Sequence, residues 1–167
     1  MCRKRIPTLA AAIALWTASW PAQGADNAPV VGTWQIKSFS IVTLDTNETS
    51  RPFGDDLVGY IQYSPGGHML VFLAKAKIKS PAGPAYTDAE RTEIHRNMFG
   101  AYAGTYRVEG NKVIHQVVAS WRPDWIGTDQ IRYFEIDGKK LTIKTAPVKF
   151  SQTGKDIVST LVFERVE

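Results

Sequence analysis

The sequence predicts an all-β protein: an antiparallel up-and-down barrel of about eight strands with one helix packed on it. Three observations carry this reading. Alternating apolar and polar runs recur along the chain, separated by turn signals at Ser64-Pro65-Gly66-Gly67, Gly110-Asn111 and Asp137-Gly138, which is the pattern of consecutive hairpins. Helix-start chemistry occurs at one place only, so there is no βαβ rhythm and no parallel sheet. The hairpins carry apolar faces that need a closed interior to cover them.

The clearest hairpin spans residues 104–118. Its two-residue loop, Gly110-Asn111, pairs Glu109 with Lys112, Val108 with Val113, Arg107 with Ile114 and Tyr106 with His115. One face then carries Tyr106, Val108, Val113, His115 and Val117. The other is mostly solvated, with Ile114 as its apolar exception. The first strand lies within residues 30–44. Trp34 and Ile36 alternate with Gln35 and Lys37, and a change of phase near Ser38-Phe39 predicts a bulge. Residues 45–56 read as a polar loop. Residues 58–73 form a second hairpin whose symmetric loop sets Tyr63 opposite His68 and Ile61 opposite Leu70. Both of its faces are apolar, which leaves the inward one undecided.

Residues 75–84 form a polar connection containing proline. Thr87-Asp88-Ala89-Glu90 is a capping box, in which the Thr87 hydroxyl accepts from the Glu90 amide and the Glu90 carboxylate reaches back. The helix it starts should run to about Ala101, with Ile94, Met98, Phe99 and Tyr102 on one face. Residues 120–127 place Trp121 and Trp125 in a Pro/Gly loop. Two indoles are costly to leave in water, so they pack over a barrel rim, either as cover or as a gate touching a ligand. Residues 130–145 form a third hairpin. With Asp137-Gly138 as its turn, Glu135 pairs with Lys140, Phe134 with Leu141 and Arg132 with Ile143. Arg132, Phe134, Ile136, Leu141 and Ile143 then share the inward face. Residues 146–154 read as a loop, and residues 156–166 as the last strand, with Leu161, Phe163 and Arg165 on one side.

The chain of 167 residues has a formal charge of +4, but its start does not belong to the barrel. Arg3, Lys4 and Arg5 precede a short apolar run, and Ala22-Gln23-Gly24 offers small residues for a signal peptidase. The pattern predicts a signal peptide over residues 1–24 and a domain over residues 25–167. Cleavage leaves a net charge of +1 and removes Cys2, the only cysteine. The mature chain then has no disulfide and no thiolate ligand. An exported protein, periplasmic or secreted, follows, with no stable membrane insertion after cleavage. No basic cluster suggests a nucleic-acid partner.

A barrel of this size can hold one small ligand. Tyr106, His115 and Arg132 are its candidate polar groups, with Phe134 beside them and Trp121 and Trp125 near the entrance. A buried guanidinium needs a partner: an acidic ligand, a protein carboxylate, a carbonyl or water. Tyr106 and His115 either bond to each other or to water, or serve a ligand. The three histidines, His68, His95 and His115, lack metal-ligand spacing, no nucleophile elbow or triad order is visible, and no cofactor motif occurs. No catalytic or metal residue is assigned.

Several motifs in order resemble the bacterial lipocalin-like domain family of calycin barrels. They are Val31-Gly32-Thr33-Trp34, Phe53-Gly54 with Gly59 and Tyr63-Ser64-Pro65, and Tyr102-Ala103-Gly104-Thr105-Tyr106. His115-Gln116-Val117, Trp125-Ile126-Gly127 and Leu161-Val162-Phe163-Glu164-Arg165 complete the series. The resemblance implies that Gly32, Trp34 and Arg165 close one barrel end, with the guanidinium on the indole. The other two signature regions of true lipocalins are absent, so retinoid carriage is not implied. The expected function is binding of a small, largely apolar molecule bearing a carboxylate or carbonyl. An isomerase or cyclase using the Tyr, His and Arg groups is the alternative, and a packed structural or interaction module is another.

Overall fold

The computed structural model describes residues 29–167. The expected signal peptide, residues 1–24, lies outside the described residues. The described chain runs β1 (Gly32–Thr43), β2 (Glu48–Ser50), β3 (Leu57–Tyr63), β4 (His68–Lys75), α1 (Asp88–Asn97), β5 (Met98–Glu109) and β6 (Lys112–Ser120). A 3₁₀ turn (Pro123–Trp125), β7 (Asp129–Asp137), β8 (Lys140–Thr145), β9 (Val148–Lys149) and β10 (Asp156–Arg165) follow. Strands β1, β3, β4, β5, β6, β7, β8 and β10 pair antiparallel in that order, and β10 pairs back onto β1. Eight strands thus close a barrel and leave no open edge in the wall. The short β2 and β9, in segments read as loops, extend the sheet beside β1 and β10.

The connections divide the barrel into two ends. The β3–β4, β5–β6 and β7–β8 hairpins turn at the end where β1 starts and β10 finishes. The longer connections, including α1 and the 3₁₀ turn, gather at the other end, which is the mouth. At the closed end Arg165 pairs with Trp34, and its guanidinium lies 4.0 Å from the centre of the indole. It also donates to the carbonyls of Val31 and Pro29, while the Trp34 indole N–H donates to Val30 at 2.8 Å. Gly32 makes room for this plug. A Cβ there would run into the Arg165 guanidinium, and its φ of +135° is one that L side chains rarely adopt.

The bulge in β1 falls between Ile36 and Ser38. It lets Trp34 and Ile36 face inward at one end and Phe39 and Ile41 at the other. The β5–β6 register matches the pattern reading from Glu109–Lys112 to Tyr106–His115. The β3–β4 register does not: Tyr63 pairs with Met69 and Ile61 with Val71. The loop has three residues between Ser64 and His68, which share a backbone bond, with Gly67 at positive φ, and an odd loop shifts the pairing by one. Ile61, Tyr63, Met69, Val71 and Leu73 point inward, and Tyr60, Leu70 and Phe72 point outward. In the β7–β8 hairpin the turn is Gly138-Lys139, and Asp137 pairs with Lys140. Arg132 therefore faces Thr145 and Phe134 faces Ile143, two residues away from the expected register. A shift of two keeps every side chain on its own face, so Arg132 stays inward.

The helix is shorter than its spacing predicted. Asn97 bonds back to the Glu93 carbonyl at 2.8 Å, and Met98 already has extended geometry. Met98, Phe99 and Tyr102 belong to β5. There Gly100, Tyr102, Gly104 and Tyr106 alternate inward, and the free backbone of β4 supplies hydrogen-bond partners that a longer helix would have left unpaired. The capping box is complete. No α1 residue is buried; the helix meets the barrel at its rim, where the His95 ring lies 4.6 Å from that of Trp121.

Candidate functional site

The barrel interior holds a cavity of about 650 Å³ that opens between α1, the 3₁₀ turn and the β8–β10 connection. Its outer part is aromatic. Phe39, Phe53 and Phe99 pack ring on ring with centroids 4.5 to 5.4 Å apart, and Phe150 joins them from the β9–β10 loop. Trp121 and Trp125 line it as well. The Trp121 indole nitrogen is buried and has no hydrogen-bond partner among the described residues.

Trp125 links the mouth to the polar interior. Its ring lies edge-on to Tyr102 at 5.4 Å and close to two guanidiniums, Arg122 at 5.0 Å and Arg132 at 5.6 Å. Arg122 is held by Asp124. The Trp125 backbone carbonyl accepts from the Thr128 hydroxyl, which accepts from the Gln130 amide, whose side-chain oxygen faces Arg132 at 3.4 Å. Arg132 is only 6 % exposed. It also donates to the Ile131 carbonyl at 3.0 Å. Among the described residues no carboxylate lies within ion-pair range of it. Its partners are amide oxygens, an indole face and the neighbouring Tyr102 hydroxyl. The protein carboxylate considered from the sequence is not among them.

His115 neighbours Arg132 and is fully buried. Tyr106 is its cross-strand neighbour but not its partner: the Tyr106 hydroxyl donates to the Ser64 carbonyl at 2.8 Å, towards the closed end. The imidazole is held instead by Tyr63, 2.8 Å from Nε2, and Tyr102, 2.9 Å from Nδ1. Burial holds the His115 pKa well below the ordinary imidazole value, and the Arg132 charge adds to this. Burial likewise raises the Tyr63, Tyr102 and Tyr106 hydroxyls, with Arg132 opposing the rise at Tyr63 and Tyr102. Tyr63, His115 and Tyr102 are therefore neutral near pH 7. They can orient a bound group by hydrogen bonds, beside one uncompensated positive charge.

Of the residues singled out from the sequence, His115, Arg132, Trp121 and Trp125 line the cavity. Tyr106 and Phe134 lie in the surrounding core. Gly32, Trp34 and Arg165 lie at the closed end. Sequence reasoning missed Tyr63 and Tyr102. Tyr63 sat in the hairpin whose inward face was undecided, and Tyr102 was placed on a helix. The alternation Gly100, Tyr102, Gly104, Tyr106 was the signal that could have found it.

The profile of the lipocalin-like domain family matches residues 31–166. The chain belongs to the lipocalin-like domain family. Comparison with curated proteins finds no match. In this lipocalin-like protein the closed barrel accounts for the whole matched span. Among the described residues no helix is long and apolar enough to cross a membrane, and no cluster of His, Cys, Asp or Glu could hold a metal ion.

Proposed function

We propose that this lipocalin-like protein binds a small, largely apolar molecule carrying a carboxylate or carbonyl, with the polar end on Arg132 and the apolar body among the aromatic rings of the mouth. Arg132 is the observation that carries the reading. A guanidinium shielded from water with only neutral partners is an incomplete arrangement, and a ligand oxygen completes it. The cavity supports the same reading over a packed structural module, since its volume lies within the range of small-molecule sites. The basic start, apolar run and small residues before Ala25 support action outside the cytoplasm.

Native mass spectrometry of protein recovered from its own compartment tests this. The expected result is a chain with a bound species that is released on denaturation and proves to be an apolar acid or carbonyl compound. A bare chain that also fails to take up apolar acids in solution would refute it.

A further inference from the structure

We propose that His115 is locked as its Nδ1–H tautomer, and that this turns the Tyr102 hydroxyl into a second donor facing the cavity. Arg132 and Tyr102 then jointly hold the carboxylate end of an apolar ligand. The inference rests on the reading of Arg132 as a ligand anchor and adds a specificity-determining partner to it.

A neutral imidazole has one N–H donor and one bare nitrogen acceptor. Both ring nitrogens of His115 face a phenol, so only two arrangements are open. In one, Nε2–H donates to Tyr63 and Tyr102 donates to Nδ1. The Tyr63 proton then needs another acceptor, yet Tyr63 is 1 % exposed and its hydroxyl has no other hydrogen-bond partner among the described residues. Burying an unpaired donor forfeits its hydrogen bond to water without replacement. In the other arrangement Tyr63 donates to Nε2, and Nδ1–H donates to Tyr102. The unspent proton is now that of Tyr102, which lines the cavity, where a ligand can accept it.

The surroundings favour the second arrangement on a separate ground. The Tyr102 oxygen faces the Arg132 guanidinium, a group made only of donors. Its lone pairs therefore turn towards Arg132 and Nδ1–H, and its proton turns away from both. The groups facing His115 are Tyr63, Tyr102 and Arg132, and none offers a carboxylate to draw a second proton onto the ring. The side of the cavity formed by Tyr102 and Arg132 thus presents hydrogen-bond donors. A ligand end with two acceptor oxygens and a negative charge complements it, whereas an ammonium end does not.

Two measurements on the full chain test the proposal. Ring ¹⁵N–¹H correlation spectra of the unmutated protein report the tautomer directly, and the expected pattern is a protonated Nδ1 with a bare Nε2. Decanoate is then titrated against the neutral fluorophore N-phenyl-1-naphthylamine. Tyr102→Phe should weaken displacement by decanoate about tenfold or more relative to any change in binding of the neutral probe. A protonated Nε2, or a folded Tyr102→Phe protein that takes decanoate as well as the parent, overturns the proposal. The spectrum needs no variant, so it decides the tautomer even if the substitution disturbs folding. Unmutated protein that binds the neutral probe but not decanoate overturns the Arg132 reading instead, whichever tautomer is found.

Discussion

Tyr106 and His115 face each other across β5 and β6, yet their side chains bond to different partners. Tyr106 donates to Ser64 at the closed end, while His115 is clasped by Tyr63 and Tyr102. Cross-strand pairing sets which side chains are neighbours, and barrel closure sets which ones meet across the interior. The hydrogen-bonded group Tyr63–His115–Tyr102 therefore joins β3, β5 and β6, with Arg132 of β7 beside it.

The Trp34 indole is fully buried beneath the Arg165 guanidinium. Trp34→Ala should lower stability by about 3–5 kcal/mol, the range for a large aromatic removed from a packed core. Urea unfolding followed by tyrosine fluorescence or circular dichroism measures this. A loss below about 1 kcal/mol would mean that the closed end repacks or stays open.

Arg132→Met replaces the buried charge with an apolar chain of similar length. Binding of apolar carboxylates should weaken by about 1.5–3 kcal/mol relative to neutral probes. Folding stability should hold or rise, because no protein carboxylate is left unpaired. Isothermal titration and thermal melting together check both halves.

Stability should depend on pH through His115. The folded imidazole resists protonation, whereas the unfolded one takes up its proton near the ordinary value of 6.5. The unfolded state therefore binds more protons below that pH. The His115 contribution is fully present above about pH 6.5 and is lost as pH falls, by up to about 1.4 kcal/mol per pH unit. Unfolding curves between about pH 7.5 and about pH 5 should show this slope, and His115→Gln should flatten it.

Exported material should begin at Ala25. Amino-terminal sequencing checks this, and recovery of chains that retain Met1 in a membrane fraction would point to an uncleaved anchor.

The sequence by itself determined the eight wall strands apart from the start of β5, the capping box and the faces of two hairpins. Period-2 alternation and turn chemistry are local, and a face survives any register error of even size. That is why Arg132 points inward although its partner is Thr145 rather than Ile143. The bulge near Ser38 was legible for the same reason, as a break in phase within one strand. The tertiary structure alone decided the rest. Residues 94–102 fit helical spacing, but the edge of β4 claimed Met98 onward for the sheet. The odd loop after Ser64 moved β3 against β4 by one residue and brought Tyr63 inward. Tyr63 and His115 are 52 residues apart, and Phe39, Phe53 and Phe99 meet from three separate segments. Such contacts arise when β10 pairs with β1 and the wall curves shut, which brings together side chains that no local pattern relates.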